Sequence, residues 1–206
     1  VIALVEVENL DTLKRFRNKF IRRGTKKGRA AYPHALVIDG NDPRMIDVAV
    51  LSVHPIVAAR SYQHERLASG RDWLFSRDCL VADIAVPGGK TLTLLVNHFK
   101  SMLDKKDPKN GRRNTRDKRE VQAKRVREIV KQRFGADPGG APFVVLGDLN
   151  DYMATDAQGP TSLGSLVGWN AVENVVDRLP AAERWTHFFA RAKTYHQLDY
   201  LLPSRL

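Results

Sequence analysis

Cysteine is almost absent from this chain: Cys79 stands alone among 206 residues, which excludes an internal disulfide and a cysteine-built zinc site. No apolar run approaches the length that a membrane-spanning helix requires, and no segment pairs a basic start with an apolar middle in the manner of a secretory signal. Repeats and low-complexity tracts are missing too. There is no initiating Met, and Val1 already falls inside an expected strand, so the sequence is expected to begin partway through a longer protein. A targeting segment then has room upstream. Acidic residues are scarce beside basic ones, 23 against 34, giving a formal net charge of +11. That excess predicts a polyanionic partner, nucleic acid or an anionic membrane surface, and says nothing about fold.

What is present is enough apolar sequence for one sizeable core, 43% of residues, with no shift of composition to divide it. A single domain over residues 1–206 is expected. Its most informative stretch is FVVLGDLND, residues 143–151. Phe143 to Leu146 read as a strand buried on both faces, and Gly147 punctuates its end. Asp148, Asn150 and Asp151 follow directly. One reading is an Asx-type turn, since these residue types favour turns for local hydrogen-bonding reasons. Another is a rim where a carboxylate and a carboxamide could hold a cation or a phosphate.

Other strand ends carry similar groups. Val1 to Val7 contains Glu6 and leads to Glu8, Thr91 to Val96 leads to Asn97 and His98, and the last apolar run begins at Asp199. A helix is expected from Asn9 to Phe20, with Leu10, Leu13, Phe16 and Phe20 on one face. The basic run Lys14 to Arg29, which includes Arg22, Arg23, Lys26, Lys27 and Arg29, suggests a phosphate-facing surface. Tyr32 to Asp39 and Met45 to Ser52 read as strands joined by a turn at Gly40 to Pro43. Val53 to Arg71 has no apolar period and reads as loop, and its His54 and His64 are given no role. Cys79 to Val86 and Thr91 to Phe99 form a hairpin around Pro87 to Lys90, which predicts that Asp78 and His98 meet at one rim within hydrogen-bonding reach.

Lys100 to Arg133 is the most basic segment, with fourteen Lys or Arg against five acids. A loop is expected first, then a helix from Thr115 to Phe134 burying Val121, Val126, Ile129, Val130 and Phe134. Lys100, Arg112 and Arg113, with Arg44, are the residues expected to meet a phosphate backbone. A short helix near Thr161 to Val167 and strand-like pieces at Val172 to Val176, Trp185 to Ala190 and His196 to Leu202 complete the chain.

Six blocks in order carry a family likeness: ALVEVEN (3–9), RMIDVAVLS (44–52), FSRDCLVADI (75–84), LLVNHFKS (94–101), VVLGDLND (144–151) and QLDYLLPS (197–204). Together they resemble the endonuclease/exonuclease/phosphatase superfamily, in particular its deoxyribonuclease-like, bacterial nuclease-type members. The resemblance implies an α/β four-layer sandwich, two packed mixed β-sheets flanked by helices, with Mg²⁺ or Mn²⁺ as cofactor. It also implies roles. Glu6 would bind the metal, Asp148 would activate the attacking water, and Asn150 would orient that water or the phosphate. His98 would contact the scissile phosphate with Asp78 as its acidic partner, and Asp199 would orient a terminal acid-base His. Glu8, Asp47 and Asp151 are expected to support the site.

Members of that superfamily also begin with a strand carrying Asn and end with Ser-Asp-His, and this sequence has neither. Both ends are therefore expected to have been cut from a longer protein. His187 and His196 are the nearest histidines, outside that motif. The function expected is metal-dependent phosphodiester hydrolysis of DNA or RNA. The alternatives are a basic nucleic-acid-binding module without catalysis and a lipid or inositol phosphohydrolase. A monomer with no obligate protein partner is expected, in a secreted or periplasmic setting, with the cytoplasm left open.

Overall fold

The computed structural model of the chain describes residues 1–21 and 32–205. The basic residues Arg22, Arg23, Lys26, Lys27 and Arg29 lie outside the described residues. By its internal contacts the chain divides into two compact units, Val1–His98 and Phe99–Leu206. Among the described residues no helix is long and apolar enough to cross a membrane.

The first unit holds β1 (Ile2–Val7), α1 (Leu10–Phe16), β2 (His34–Val37), β3 (Asp47–Ser52), β4 (Ile56–Arg60), β5 (Cys79–Val86) and β6 (Lys90–His98). β3 lies between β1 and β2 in an antiparallel sheet, and β5 lies between β4 and β6 in another antiparallel set. Every residue of β3 is buried, because this strand also packs against β5 and β6. Its unbroken Val-Ala-Val-Leu run suits a strand covered on both faces. Asn9 caps α1 by accepting from the Thr12 amide at 2.8 Å, and Leu13 packs onto Ala49 and Leu51.

Phe16 and Phe20 do not share that buried face as the sequence suggested; they are 41% and 60% exposed. The helix relaxes into a π-type turn over Arg17–Ile21, whose wider step rotates later side chains off the stripe. The two rings pack on each other instead, 5.7 Å apart. β4 is a second departure, a strand where loop was expected. Its residues after Ile56 are exposed, so it shows no apolar period to read.

The second unit holds α2 (Gly111–Asn114), α3 (Arg116–Phe134), β7 (Phe143–Asp148), α4 (Gly164–Val167), β8 (His187–Phe189), β9 (Thr194–His196) and β10 (Asp199–Pro203). β7 and β10 pair antiparallel, and β8 and β9 form a separate hairpin. Val172 to Val176, expected as a strand, gives one bridge at Val172 and a 3₁₀ turn over Val175–Arg178. On α3 the buried stripe includes Ala123, Val126, Ile129 and Val130, while Val121, expected there, is 43% exposed. The stripe runs back to Gln122 and Arg119 rather than to Val121, and Arg119 is wholly buried.

Arg119 belongs to an ionic core centred on Asp151. One Asp151 oxygen accepts from Arg112 Nε at 2.6 Å and from the Tyr152 amide at 3.0 Å; the other accepts from the Ser162 amide and hydroxyl at 2.9 and 2.5 Å. Arg119 Nε approaches the same carboxylate to 3.7 Å. Arg112, expected to face a substrate phosphate, is therefore turned inward and only 4% exposed. Its remaining N–H groups bond Asp156 and the carbonyls of Gly159, Tyr152 and Ala154. All five guanidinium donors are engaged within the chain. Gly111 makes this approach possible, since a Cβ there would sit 2.3 Å from the Met102 carbonyl oxygen.

Removing one partner of a buried ion pair leaves the others charged and desolvated, at a cost of about 3–5 kcal/mol. Asp151→Ala should lower the urea unfolding free energy by that amount with an unchanged slope. A loss below about 1 kcal/mol, the range of exposed pairs, would show that the network carries no such load.

Candidate active site

Two groups of polar side chains stand out, one in each unit. In the second unit the corner after β7 carries Asp148 and Asn150. Asn150 adopts a left-handed backbone, φ 53°, which Asn tolerates better than most residues. Its amide N–H donates to one Asp148 oxygen at 2.8 Å and its side-chain NH₂ donates to the other at 3.0 Å. The same NH₂ donates to the Phe99 carbonyl at 3.2 Å. The turn reading holds, and the hydrogen bonds that form the turn also fix the carboxylate. With both N–H groups of its carboxamide engaged, Asn150 has its oxygen to offer, an acceptor for a water or a cation and not a donor to a phosphate.

Asp199, the first residue of β10, is the direct cross-strand neighbour of Asp148. Like charges directly opposite destabilise a strand pair, so a cation or a proton at this position would relieve the repulsion. Lys100, expected to meet substrate, directs its ammonium to the Ser101 and Leu103 carbonyls at 3.0 and 3.2 Å. It braces the turn after Phe99. Arg113 is exposed.

Beside Asp148 and Asn150 lies a cavity of about 450 Å³, whose other walls include Tyr152, His187, Phe189 and His196. Sequence reasoning gave the two histidines no place here. β8 and β9 pair His187 with His196 directly, which sets both rings on one face of the hairpin. His196 stacks on Tyr152, centroids 4.2 Å apart and planes 21° from parallel. Burial, with His187 and Arg112 adding to it, pushes the His196 pKa down. The alternation Thr194, Tyr195, His196 was the one available signal, and a three-residue strand is too short to make it legible.

In the first unit, Glu6, Arg44, Asp78 and His98 gather at a rim of strand ends. The β1–β3 register sets Val7 against Asp47, and the β5–β6 register sets Cys79 against Asn97, one residue in from Asp78 and His98. Glu6 is exposed, with a left-handed backbone of φ 58°, and its charge is felt by Arg44. Arg44 forks onto Asp42 at 2.9 Å through both Nε and Nη2, which pulls the Asp42 pKa down to about 2. Arg77, buried, bridges Asp42 at 3.3 Å and His98 Nε2 at 3.3 Å.

A guanidinium only donates, so His98 Nε2 accepts and the neutral ring carries its proton on Nδ1. Burial first, then Arg77 and Arg44, push the His98 pKa down to about 4. Asp78 lies one residue beyond the Cys79–Asn97 pair, and its Oδ1 accepts the Tyr62 amide at 2.7 Å where a bond to His98 was expected. Its other oxygen is buried without a hydrogen-bond partner, and burial raises its pKa. Asp47 accepts the Gly40 amide at 2.7 Å, a supporting role.

Among the described residues no group of three or more His, Cys, Asp or Glu side chains is placed to hold a metal by itself. In the second unit the hard oxygens of Asp148, Asn150 and Asp199 are nevertheless of the type that Mg²⁺ prefers, an ion that uses one or two protein carboxylates and keeps its waters.

The family model for the Endonuclease/Exonuclease/phosphatase family matches residues 1–177. Among solved structures, the human Nocturnin catalytic domain with bound sulfate aligns at a TM-score of 0.62 and 14% identity, covering 98% of this chain and 68% of that one. A protein from Beutenbergia cavernae described as endonuclease/exonuclease/phosphatase aligns at 0.62 and 15%, covering 92% of this chain; the chain spans about half of that protein, 49%. Beta toxin 275–280 from Staphylococcus aureus aligns at 0.61 and 16%, covering 98% and 71%. At these identities the structures share the fold. No curated protein matches by sequence.

The lowered His98 pKa has a testable sign. The folded state disfavours the charged ring, so His98 contributes stability above pH 6.5 that is lost as the pH falls towards 4, on the order of 3 kcal/mol in total. Its ring proton should titrate near 4 by NMR. A midpoint near 6.5 would contradict the burial and the Arg77 contact as causes.

Proposed function

The chain belongs to the endonuclease/exonuclease/phosphatase family, a family of Mg-dependent phosphoesterases, and from that premise we propose that it hydrolyses phosphodiester bonds of nucleic acid with a divalent cation. The observation that carries the reading is the Asp148 carboxylate, held by two hydrogen bonds from Asn150 at the wall of a cavity. The match runs from the first unit into the second, which supports one domain of the family's four-layer sandwich type. The net charge of +11 supports a long polyanion as substrate.

Mg²⁺ or Mn²⁺, when bound, would neutralise charge developing on the phosphoryl oxygens. Glu6 is the proposed ligand, an exposed carboxylate with a left-handed backbone where the β1–β3 register shifts between Leu4 and Val7. Asp148 accepts the proton of the attacking water, and Asn150 orients that water through its oxygen. Asp199 lies directly opposite Asp148 across the strand pair. In the first unit, Arg44 and His98 serve the phosphate, with Asp78 at the same strand ends as a buried acid whose pKa burial raises.

Hydrolysis of a single-stranded oligonucleotide should require Mg²⁺ or Mn²⁺ and stop with a chelator. Asp148→Ala should lower kcat by about 100-fold or more, the contribution of a general base. By calorimetry, Glu6→Gln should weaken Mg²⁺ severalfold. Salt-dependent binding without metal-dependent cleavage would leave the binding-module reading instead.

A further inference from the structure

The cavity beside Asp148 has a composition that a phosphate site would not have. Among the described residues Arg112 is the only Lys or Arg on its walls, and all five of its N–H groups are engaged inside the chain. His196 is pushed towards its neutral form. A second phosphate or a polyanionic headgroup would therefore meet no unengaged Lys or Arg among the described residues here. Flat rings and apolar side chains face the space instead: Tyr152, His187, Phe189, His196, Leu103 and Met102.

Tyr152 and His196 are already stacked nearly parallel, and the Arg112 guanidinium lies over the Tyr152 ring, 4.1 Å from its centroid. This locks the orientation of that platform. Polar edges are supplied by Gln158, whose amide oxygen accepts the Arg112 backbone N–H at 3.0 Å and which keeps its NH₂ as the donor end. Asn150 adds a carbonyl oxygen. A hydrocarbon chain would have no use for these edges, and a sugar would not exploit the rings.

We propose that this cavity binds the base of the nucleotide adjoining the scissile phosphate, stacked among these rings, so that the enzyme acts on single strands or strand ends where that base is free to leave its neighbours. The inference rests on the phosphodiesterase reading above and names the substrate feature that this site recognises. Aromatic stacking of this kind tolerates every base, so selectivity is for the presence of a base and not for its identity.

The test uses an oligonucleotide carrying 2-aminopurine at the cleaved position, with chelator present so that only binding is read. Stacking should quench its fluorescence, and Phe189→Ala and His196→Ala should each weaken binding by about 5- to 100-fold. With Mg²⁺, the wild type should prefer the intact strand to one with an abasic position there by a similar factor in kcat/KM, and the variants should lose that preference. Equal cleavage of intact and abasic strands by the wild type, or an unchanged preference in both variants, would overturn the base site while leaving hydrolysis intact. Quenching that both variants abolish, without metal-dependent cleavage, would support the base site and defeat the hydrolase reading. Faster hydrolysis of phosphatidylcholine–sphingomyelin vesicles than of oligonucleotides would overturn the base site in favour of a lipid.

Discussion

The Asp151 carboxylate is the constraint on which the second unit depends. It is wholly buried and its pKa is lowered, because four hydrogen bonds and a second guanidinium outweigh the burial that alone would raise it. Asp148 and Asn150 lie three residues and one residue before it. Tyr200 of β10 donates to the Asp151 backbone carbonyl at 3.1 Å, so the anchored loop is tied to the strand that pairs with β7. A side chain that meets no substrate thereby fixes the backbone that aims those that would. Such precision needs rigid support, since small displacements of a base or ligand sharply reduce its effect.

The first unit uses burial differently. Arg77, His98 and Asp78 are nearly inaccessible, while Glu6 and Arg44 are exposed at the same gathering of strand ends. Desolvation holds His98 neutral and Asp78 towards protonation, so the inner groups present hydrogen-bonding dipoles and the outer ones present charge. That division suits a site that must attract a polyanion yet place uncharged donors near a reacting phosphoryl group.

Much of this was legible in the sequence for definite reasons. The hairpin of β5 and β6 has long apolar strands and glycine punctuation, with Gly88 and Gly89 both at positive φ, and its limits fall where the residues place them. β7 and its Asp-Asn corner were equally plain. What failed were inferences that charge implies solvent. Arg112 and Arg119 looked like parts of a basic surface, and only the distant Asp151 and Ser162, about 30 to 50 residues on, make their burial possible. Periodicity does not report partners so far away along the chain. β4 and β9 escaped notice because short, exposed strands carry no buried face to reveal them, whereas β8 falls inside the strand expected at Trp185 to Ala190.

In the proposed reaction, water activated at Asp148 attacks the phosphorus of a nucleic-acid backbone. The most direct measurement is cleavage of a DNA strand in ¹⁸O-labelled water with Mg²⁺, followed by mass spectrometry of the phosphate-bearing end. The account predicts that the heavy oxygen appears on that phosphate. Cleavage that leaves the phosphate unlabelled would contradict it.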